Sequence, residues 1–165
     1  KRFKQPALAE DEEAWLEFRG VAMTAEVYLN GQKLACHEGG YSTFRVNITD
    51  ALEENNTLVV SADNSQNDRV YPQKADFTFY GGIYRDVYLI TLPKEHFALG
   101  YFGGSGFKIT PNVVGENATV ELEAWTENTK DGTNVEFTVE GVASKIVAVK
   151  SGKAEASIEI KNVHL

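Results

Sequence analysis

Apolar side chains alternate with polar ones at a period of two through most of this chain, and no stretch of useful length carries the 3.6-residue period of an amphipathic helix. Successive residues of a strand point to opposite faces, so a chain patterned this way must build half-buried sheets. Trp15-Leu16-Glu17-Phe18-Arg19 reads as one strand. Ala25-Glu26-Val27-Tyr28-Leu29 and Gln32-Lys33-Leu34-Ala35-Cys36 flank Asn30-Gly31. That pair predicts a hairpin, because a type I′ turn needs positive φ at both central residues. Tyr41 to Val46 reads as a strand, Thr49-Asp50-Ala51-Leu52 as one helical turn capped by Thr49 or Asp50, and Asn56 to Ala62 as a buried strand. Val87 to Leu92 alternates and stops at Pro93. Further runs follow at Ala118 to Trp125, Val135 to Val139, Lys145 to Val149 and Ala154 to Ile160, with turns at Lys130-Asp131-Gly132 and Ser151-Gly152. Short strands with this turn spacing predict an all-β protein made of β-sandwiches.

Pro93-Lys94-Glu95 divides the chain into residues 1–93 and 94–165. A seven-stranded immunoglobulin-like sandwich takes about 100 residues, more than the second part holds. The first part is short of strands at its start, and the chain opens on Lys1-Arg2-Phe3-Lys4-Gln5 without an initiator Met. The reading is a piece of a multidomain protein, its first domain truncated at the amino end and its second at the carboxyl end.

Composition narrows the partners. A formal net charge of −8 disfavours nucleic-acid phosphates and anionic membrane surfaces, so neither nucleic acid nor membrane is expected as a partner. No apolar run approaches the roughly 18 residues that span a bilayer. The single cysteine, Cys36, excludes an internal disulfide and a multi-thiolate zinc site. Its neighbour His37 lies on the opposite strand face, so Cys36 reads as a half-buried structural residue. His37, His96 and His164 show no metal-ligand spacing, and no cofactor is expected in this chain.

One segment carries more chemistry than the rest: Asp76-Phe77-Thr78-Phe79-Tyr80-Gly81-Gly82-Ile83-Tyr84-Arg85-Asp86-Val87-Tyr88-Leu89. An acidic, aromatic loop runs into a Gly-Gly pair and then a strand, placing one carboxylate and several rings at a sandwich rim. Gly81-Gly82 supplies positive φ or a close backbone approach. Arg85 and Asp86 read as strand residues forming a buried or rim ion pair. Phe77, Phe79 and Tyr80 either stack on a sugar ring or pack against another domain. Asp76 either binds a ligand or caps a turn. Trp15 and Trp125 read as core or sheet-face residues. Glu38, Glu53 and Glu54 lie in turn-like segments with no apolar pocket to raise a carboxyl pKa, so none reads as a catalytic acid.

Gly81-Gly82-Ile83-Tyr84-Arg85-Asp86-Val87 resembles a signature of glycoside hydrolase family 2, which holds β-galactosidases, β-glucuronidases and β-mannosidases. The likeness extends in order along the chain. Leu16-Glu17-Phe18-Arg19-Gly20-Val21 is similar to a family strand and turn, and Ala25-Glu26-Val27-Tyr28-Leu29-Asn30-Gly31 to its hairpin. His37-Glu38-Gly39-Gly40-Tyr41-Ser42-Thr43-Phe44, Asn56-Thr57-Leu58-Val59-Val60 and Asp63-Asn64-Ser65 are similar to its later segments. The resemblance implies a sugar-binding jelly roll over 1–93 and a partial immunoglobulin-like sandwich over 94–165. It also implies a downstream catalytic barrel of the same polypeptide as partner and retaining hydrolysis by two glutamates of that barrel. This chain would then be inactive by itself.

For the β-galactosidase branch the resemblance implies a substrate-binding role for Asp76, which would also ligate sodium in the parent enzyme, where sodium or magnesium is expected. Phe77 and Tyr80 would flank the sugar. A carboxylate there would repel a glucuronate, which points to galactosides. Two other readings stand beside this one. A stand-alone carbohydrate-binding module would have the same fold. A structural spacer could carry glycans on Asn47, Asn55 and Asn117, each of which begins an Asn-x-Ser/Thr triplet.

Overall fold

The computed structural model describes all residues except 72–74, 77 and 164–165. It is all-β, with a single 3₁₀ turn, Thr49–Ala51, among the described residues. The chain separates into two compact units, Lys1–Pro93 and Lys94–Leu165.

In the first unit, β1 (Arg2–Lys4), β4 (Thr24–Leu29), β5 (Gln32–Glu38) and β7 (Asn55–Asp63) form one antiparallel sheet in the order β1-β7-β4-β5. The second sheet has β2 (Glu12–Phe18) between β6 (Phe44–Asn47) and β9 (Val87–Pro93). Two short strands, β3 (Val21–Ala22) and β8 (Gly82–Ile83), pair at the rim. Alternation decides which side chains face the space between the sheets. Ala14, Leu16 and Phe18 of β2 meet Ala25, Val27 and Leu29 of β4, with Phe44, Val46, Ile48 and Leu58 completing the core. The ring of Phe18 stacks on Phe44 with centroids 4.8 Å apart. At roughly 1.5–3 kcal/mol per fully buried large apolar side chain, this cluster is the main favourable term of the unit.

The Asn30-Gly31 turn forms as expected, with φ of 51° and 85°. Asn30 also donates through Nδ2 to the carbonyl of Ala51 (2.9 Å) and to Oδ1 of Asn56 (3.0 Å). The buried Asn56 side chain in turn donates to the carbonyl of Glu53 at 2.6 Å. The hairpin tip is thereby tied to the 3₁₀ turn. That turn is capped differently from the expectation: Asn47 Oδ1 accepts from Thr49 N (2.9 Å) and Thr49 Oγ1 (2.7 Å). Residues 56–62 are not buried along their length. Asn56 and Leu58 are buried but Val59 is 54% exposed, because β7 has the core on one face only.

The outer face of β2 holds charge. Glu17 accepts from Arg45 Nε at 2.7 Å and Arg19 Nε at 2.9 Å, and Glu13 accepts from the Trp15 indole at 2.6 Å.

In the second unit, β12 (Asn117–Glu127) is central. It pairs with β11 (Phe107–Val114), β15 (Lys153–Lys161) and the short β10 (His96–Phe97), all antiparallel. The hairpin β13 (Asn134–Val139) and β14 (Ala143–Ala148) lays Val135, Phe137 and Val139 on Ala124, Leu122, Val120 and Ile158. Five strands lie outside the sequence reading: β1, β11 and the two-residue strands β3, β8 and β10. β1 is three residues long, and β11 contains Pro111, which a strand that pairs on one side only can accommodate.

Candidate functional site

The acidic, aromatic segment is the connection from β7 to β9, and both of its ends are pinned. At the start, the Asp63 carbonyl accepts from Met23 N at 2.8 Å, and its carboxylate accepts from Ser65 N at 2.8 Å. The hydrogen bonds from the Ser65 backbone and side chain hold the Asp63 carboxyl below its ordinary value. Asn67 Oδ1 then accepts from the amides of Arg69 and Val70, both at 3.0 Å. This Asx turn drops Val70 into a small cluster with Ala22 and Met23, against which Tyr84 packs. Arg69 reaches back to Glu38, Nε to Oε1 at 2.6 Å.

At the exit, the two glycines serve different needs. A Cβ on Gly81 would lie 2.7 Å from Nδ2 of Asn64, whereas Gly82 has open space but a φ of 79°. Tyr84 donates its phenol to the carbonyl of Gly40 at 2.5 Å. Its ring lies where a Cβ on Gly20 would come within 2.9 Å of Cζ.

The expected strand-borne ion pair of Arg85 and Asp86 does not form. β8 ends at Ile83 and pairs β3, while β9 begins at Val87 and pairs β2, so residues 84–86 step between two sheets. Both side chains are exposed. Arg85 Nη1 donates to the carbonyls of Tyr41 (3.1 Å) and Arg19 (3.2 Å), and Asp86 accepts from the Tyr88 hydroxyl (3.1 Å). Arg85 is thus a clamp on backbone carbonyls.

Between these anchors Asp76 and Tyr80 face solvent, Tyr80 at 65% exposure, while Phe79 is half-buried. Phe77 lies outside the described residues. Among the described residues no group of His, Cys, Asp or Glu side chains gathers around Asp76 in a ligating arrangement. One carboxylate does not hold a sodium or magnesium ion alone, because hard cations take six or more oxygens.

The Gly39-Gly40 bend beside the loop is braced by His37. Its Nε2 lies 3.0 Å from Ser42 Oγ and 3.2 Å from the Gly39 carbonyl, and its ring stacks on Phe44 at 4.1 Å. Burial pushes the His37 pKa down, and the Gly39 contact only partly opposes it. Cys36 is exposed, not half-buried, because it lies opposite Glu26 on the outer face of its sheet, away from the core side of Ala25, Val27 and Leu29. Glu38 is taken up by Arg69, and Glu53 and Glu54 are exposed. The brace residues escaped the sequence reading. His37 and Gly39-Gly40 were visible as a motif, but nothing local marks Tyr84 or Arg85 as partners of carbonyls more than 40 residues away.

The chain is similar in sequence and fold to known proteins. The family model described as glycosyl hydrolase 2 galactose-binding domain-like matches residues 1–103. A β-galactosidase of Bacteroides ovatus is 34% identical over 155 residues, covering 88% of this chain and 17% of its own length. A β-glucuronidase of Bacteroides fragilis is 42% identical over 78 residues, 46% of this chain and 11% of its own. Among solved structures, the FMN-binding β-glucuronidase of Facaelibacterium prausnitzii L2-6 superposes over 100% of this chain and 27% of its own, at 36% identity and a TM-score of 0.84. The chain therefore spans roughly a tenth to a quarter of these relatives. The ordered rim motifs, the two-sheet first unit and this match over residues 1–103 together make the chain a member of glycoside hydrolase family 2, residues 1–103 corresponding to its galactose-binding-like domain.

Proposed function

We propose that the chain is the non-catalytic amino-terminal part of a β-galactosidase-like hydrolase that releases terminal β-linked sugars with retention of configuration. Membership of the family supports hydrolysis of glycosides. The choice of galactosides rests on one observation: Asp76 is a solvent-facing carboxylate on a loop pinned at Val70 and at Gly81–Tyr84. A carboxylate accepts hydrogen bonds from adjacent sugar hydroxyls and repels a uronate. Tyr80, with Phe77 beside Asp76 in sequence, offers a ring to the sugar's C–H face. In this reading Asp76 gives one oxygen to a sodium or magnesium ion whose other ligands come from the downstream catalytic barrel, and the two sandwiches scaffold that barrel.

A galactoside and a glucuronide reading compete. The second is favoured by the likeness in fold and sequence to the F. prausnitzii β-glucuronidase. Turnover of nitrophenyl β-galactoside and nitrophenyl β-glucuronide by the full-length enzyme separates them. Faster galactoside turnover is expected, and a preference for the glucuronide reverses the assignment. Purified 1–165 is expected to hydrolyse neither. Tight glycan binding by inactive full-length protein would instead favour a stand-alone binding module.

A further inference from the structure

The turn between β10 and β11 presents one residue in an unusual way. Among the described residues, five non-glycine residues have positive φ: Asn30, Phe102, Asn128, Ser151 and Asn162. Four carry short polar side chains that tolerate the left-handed region; Phe102, at 46°, is the bulky exception. It is also 90% exposed, the highest value among the described large hydrophobic residues. A single exposed apolar side chain is ordinary, and a strained backbone at a turn is common enough. At this one residue an unfavourable backbone conformation coincides with an aromatic ring standing in water.

The surrounding turn is built to hold it there. Tyr101 stacks on Trp125 with centroids 4.0 Å apart, and Lys153 Nζ lies 5.1 Å from the indole centroid. Phe102 meets Tyr101 edge to face at 5.0 Å and 74°. Gly104 N donates to the Tyr101 carbonyl at 2.8 Å, closing the turn. Gly106 passes so close to β10 that a Cβ would sit 2.7 Å from the amide nitrogen of Ala98.

We infer that Phe102 is a preformed anchor that enters an apolar, uncharged pocket on a further domain of the same polypeptide. The inference rests on the proposed function for the existence of that domain. Three observations select this occupant. Phenylalanine has no polar handle, so its ring gains only where water is excluded. The residues that follow, Gly103-Gly104-Ser105-Gly106, offer a sugar's hydroxyls only one side-chain hydroxyl, which argues against a glycan. In relatives this chain is a quarter of the polypeptide or less by length for the β-galactosidase and the β-glucuronidase of the two Bacteroides species, so additional protein surface is at hand. Exposed rigid aromatics that fill pockets carry much of the energy of such contacts.

The test places the photoreactive analogue benzoylphenylalanine at position 102 of the full-length polypeptide. After irradiation, the cross-linked peptides are mapped by mass spectrometry. The expected product joins residue 102 to a segment outside 1–165 of the same polypeptide, in a yield independent of protein concentration. In parallel, Phe102→Ser lowers the melting temperature of the full-length protein and Phe102→Leu restores most of the loss. A folded, active enzyme with no such cross-link, or cross-links only to bound oligosaccharide or to another protein, overturns the anchor while leaving the hydrolase reading intact. A gene product without further domains removes the occupant and the proposed function together, and its measured mass reveals this before irradiation.

Discussion

The phenol of Tyr84 donates a 2.5 Å hydrogen bond to the carbonyl of Gly40, tying the exit of the rim loop to the Gly39-Gly40 bend. The bond is part-buried, and the carbonyl it satisfies belongs to a residue that is itself buried. Tyr84→Phe is expected to cost about 1 kcal/mol, the usual net value of one such bond. Urea denaturation measures the loss. Amide exchange should quicken at 81–86 and at 39–42 together; faster exchange at only one of them would show that the bond does not couple the two segments.

Glu17 sits beneath Arg45, and its side chain is only 8% exposed. Burial raises its pKa, but the hydrogen bonds and charges of Arg19 and Arg45 together outweigh that and hold it below the ordinary 4.5. A depressed carboxyl stabilises the fold above its unfolded pKa, and the contribution fades as pH falls below about 4.5 toward the folded value. Arg45→Ala leaves Glu17 with only the half-exposed Arg19 and is expected to cost about 3 kcal/mol at neutral pH. Because the charge is then poorly compensated, the acid-side loss should shrink in the variant.

His37 has the opposite chemistry and the same sign of dependence. Its folded pKa lies below 6.5 because burial disfavours the cation. The unfolded chain takes up a proton near pH 6.5 that the folded chain resists, so stability falls as pH drops below that value. His37→Phe keeps the stack on Phe44 and removes the proton. Thermal melts between pH 7.5 and 5 should slope less in the variant than in the parent.

Two glycines should respond unequally to a methyl group. Gly82→Ala has free space and must only tolerate a φ of 79°, for about 1 kcal/mol. Gly106→Ala meets the Ala98 backbone at 2.7 and 2.8 Å and carries a φ of 77° as well. It should cost roughly 2–4 kcal/mol, because backbone cannot step aside as a side-chain tip can. Equal losses in paired denaturation curves would mean that the turn after Phe102 adjusts freely.

Asp76→Ala in the full-length enzyme should lower kcat/KM for nitrophenyl β-galactoside by roughly 10- to 100-fold, the worth of one or two charge-assisted hydrogen bonds. Stability should change little, since the side chain is exposed. Unchanged kinetics on galactosides would sink the substrate role of Asp76.

Much of this fold is legible in period and punctuation. Alternation over Ala25-Glu26-Val27-Tyr28-Leu29, with Asn30-Gly31 after it, determines which side chains of that strand enter the core, since a strand has only two faces, whereas residues 13–18 of β2 are buried on both. The two glycines at 81 and 82 announced a special backbone, and both meanings of glycine turned out to operate there. β1 was missed because Arg2-Phe3-Lys4 is too short to show a period, and β11 because Pro111 argues against a strand until the strand is known to be an edge.

The sequence by itself determined the all-β class, the hairpins and the polarity of each face, because these depend on neighbours two to four residues apart. Only the tertiary structure decided that Arg85 holds the carbonyls of Arg19 and Tyr41 instead of Asp86, that Tyr84 holds Gly40, and that Phe102 stands in water. A backbone carbonyl is chemically the same at every residue, so no pattern of side chains records which one a distant donor will reach. Burial likewise depends on what the folded chain places overhead, and that is settled when the sheets pack.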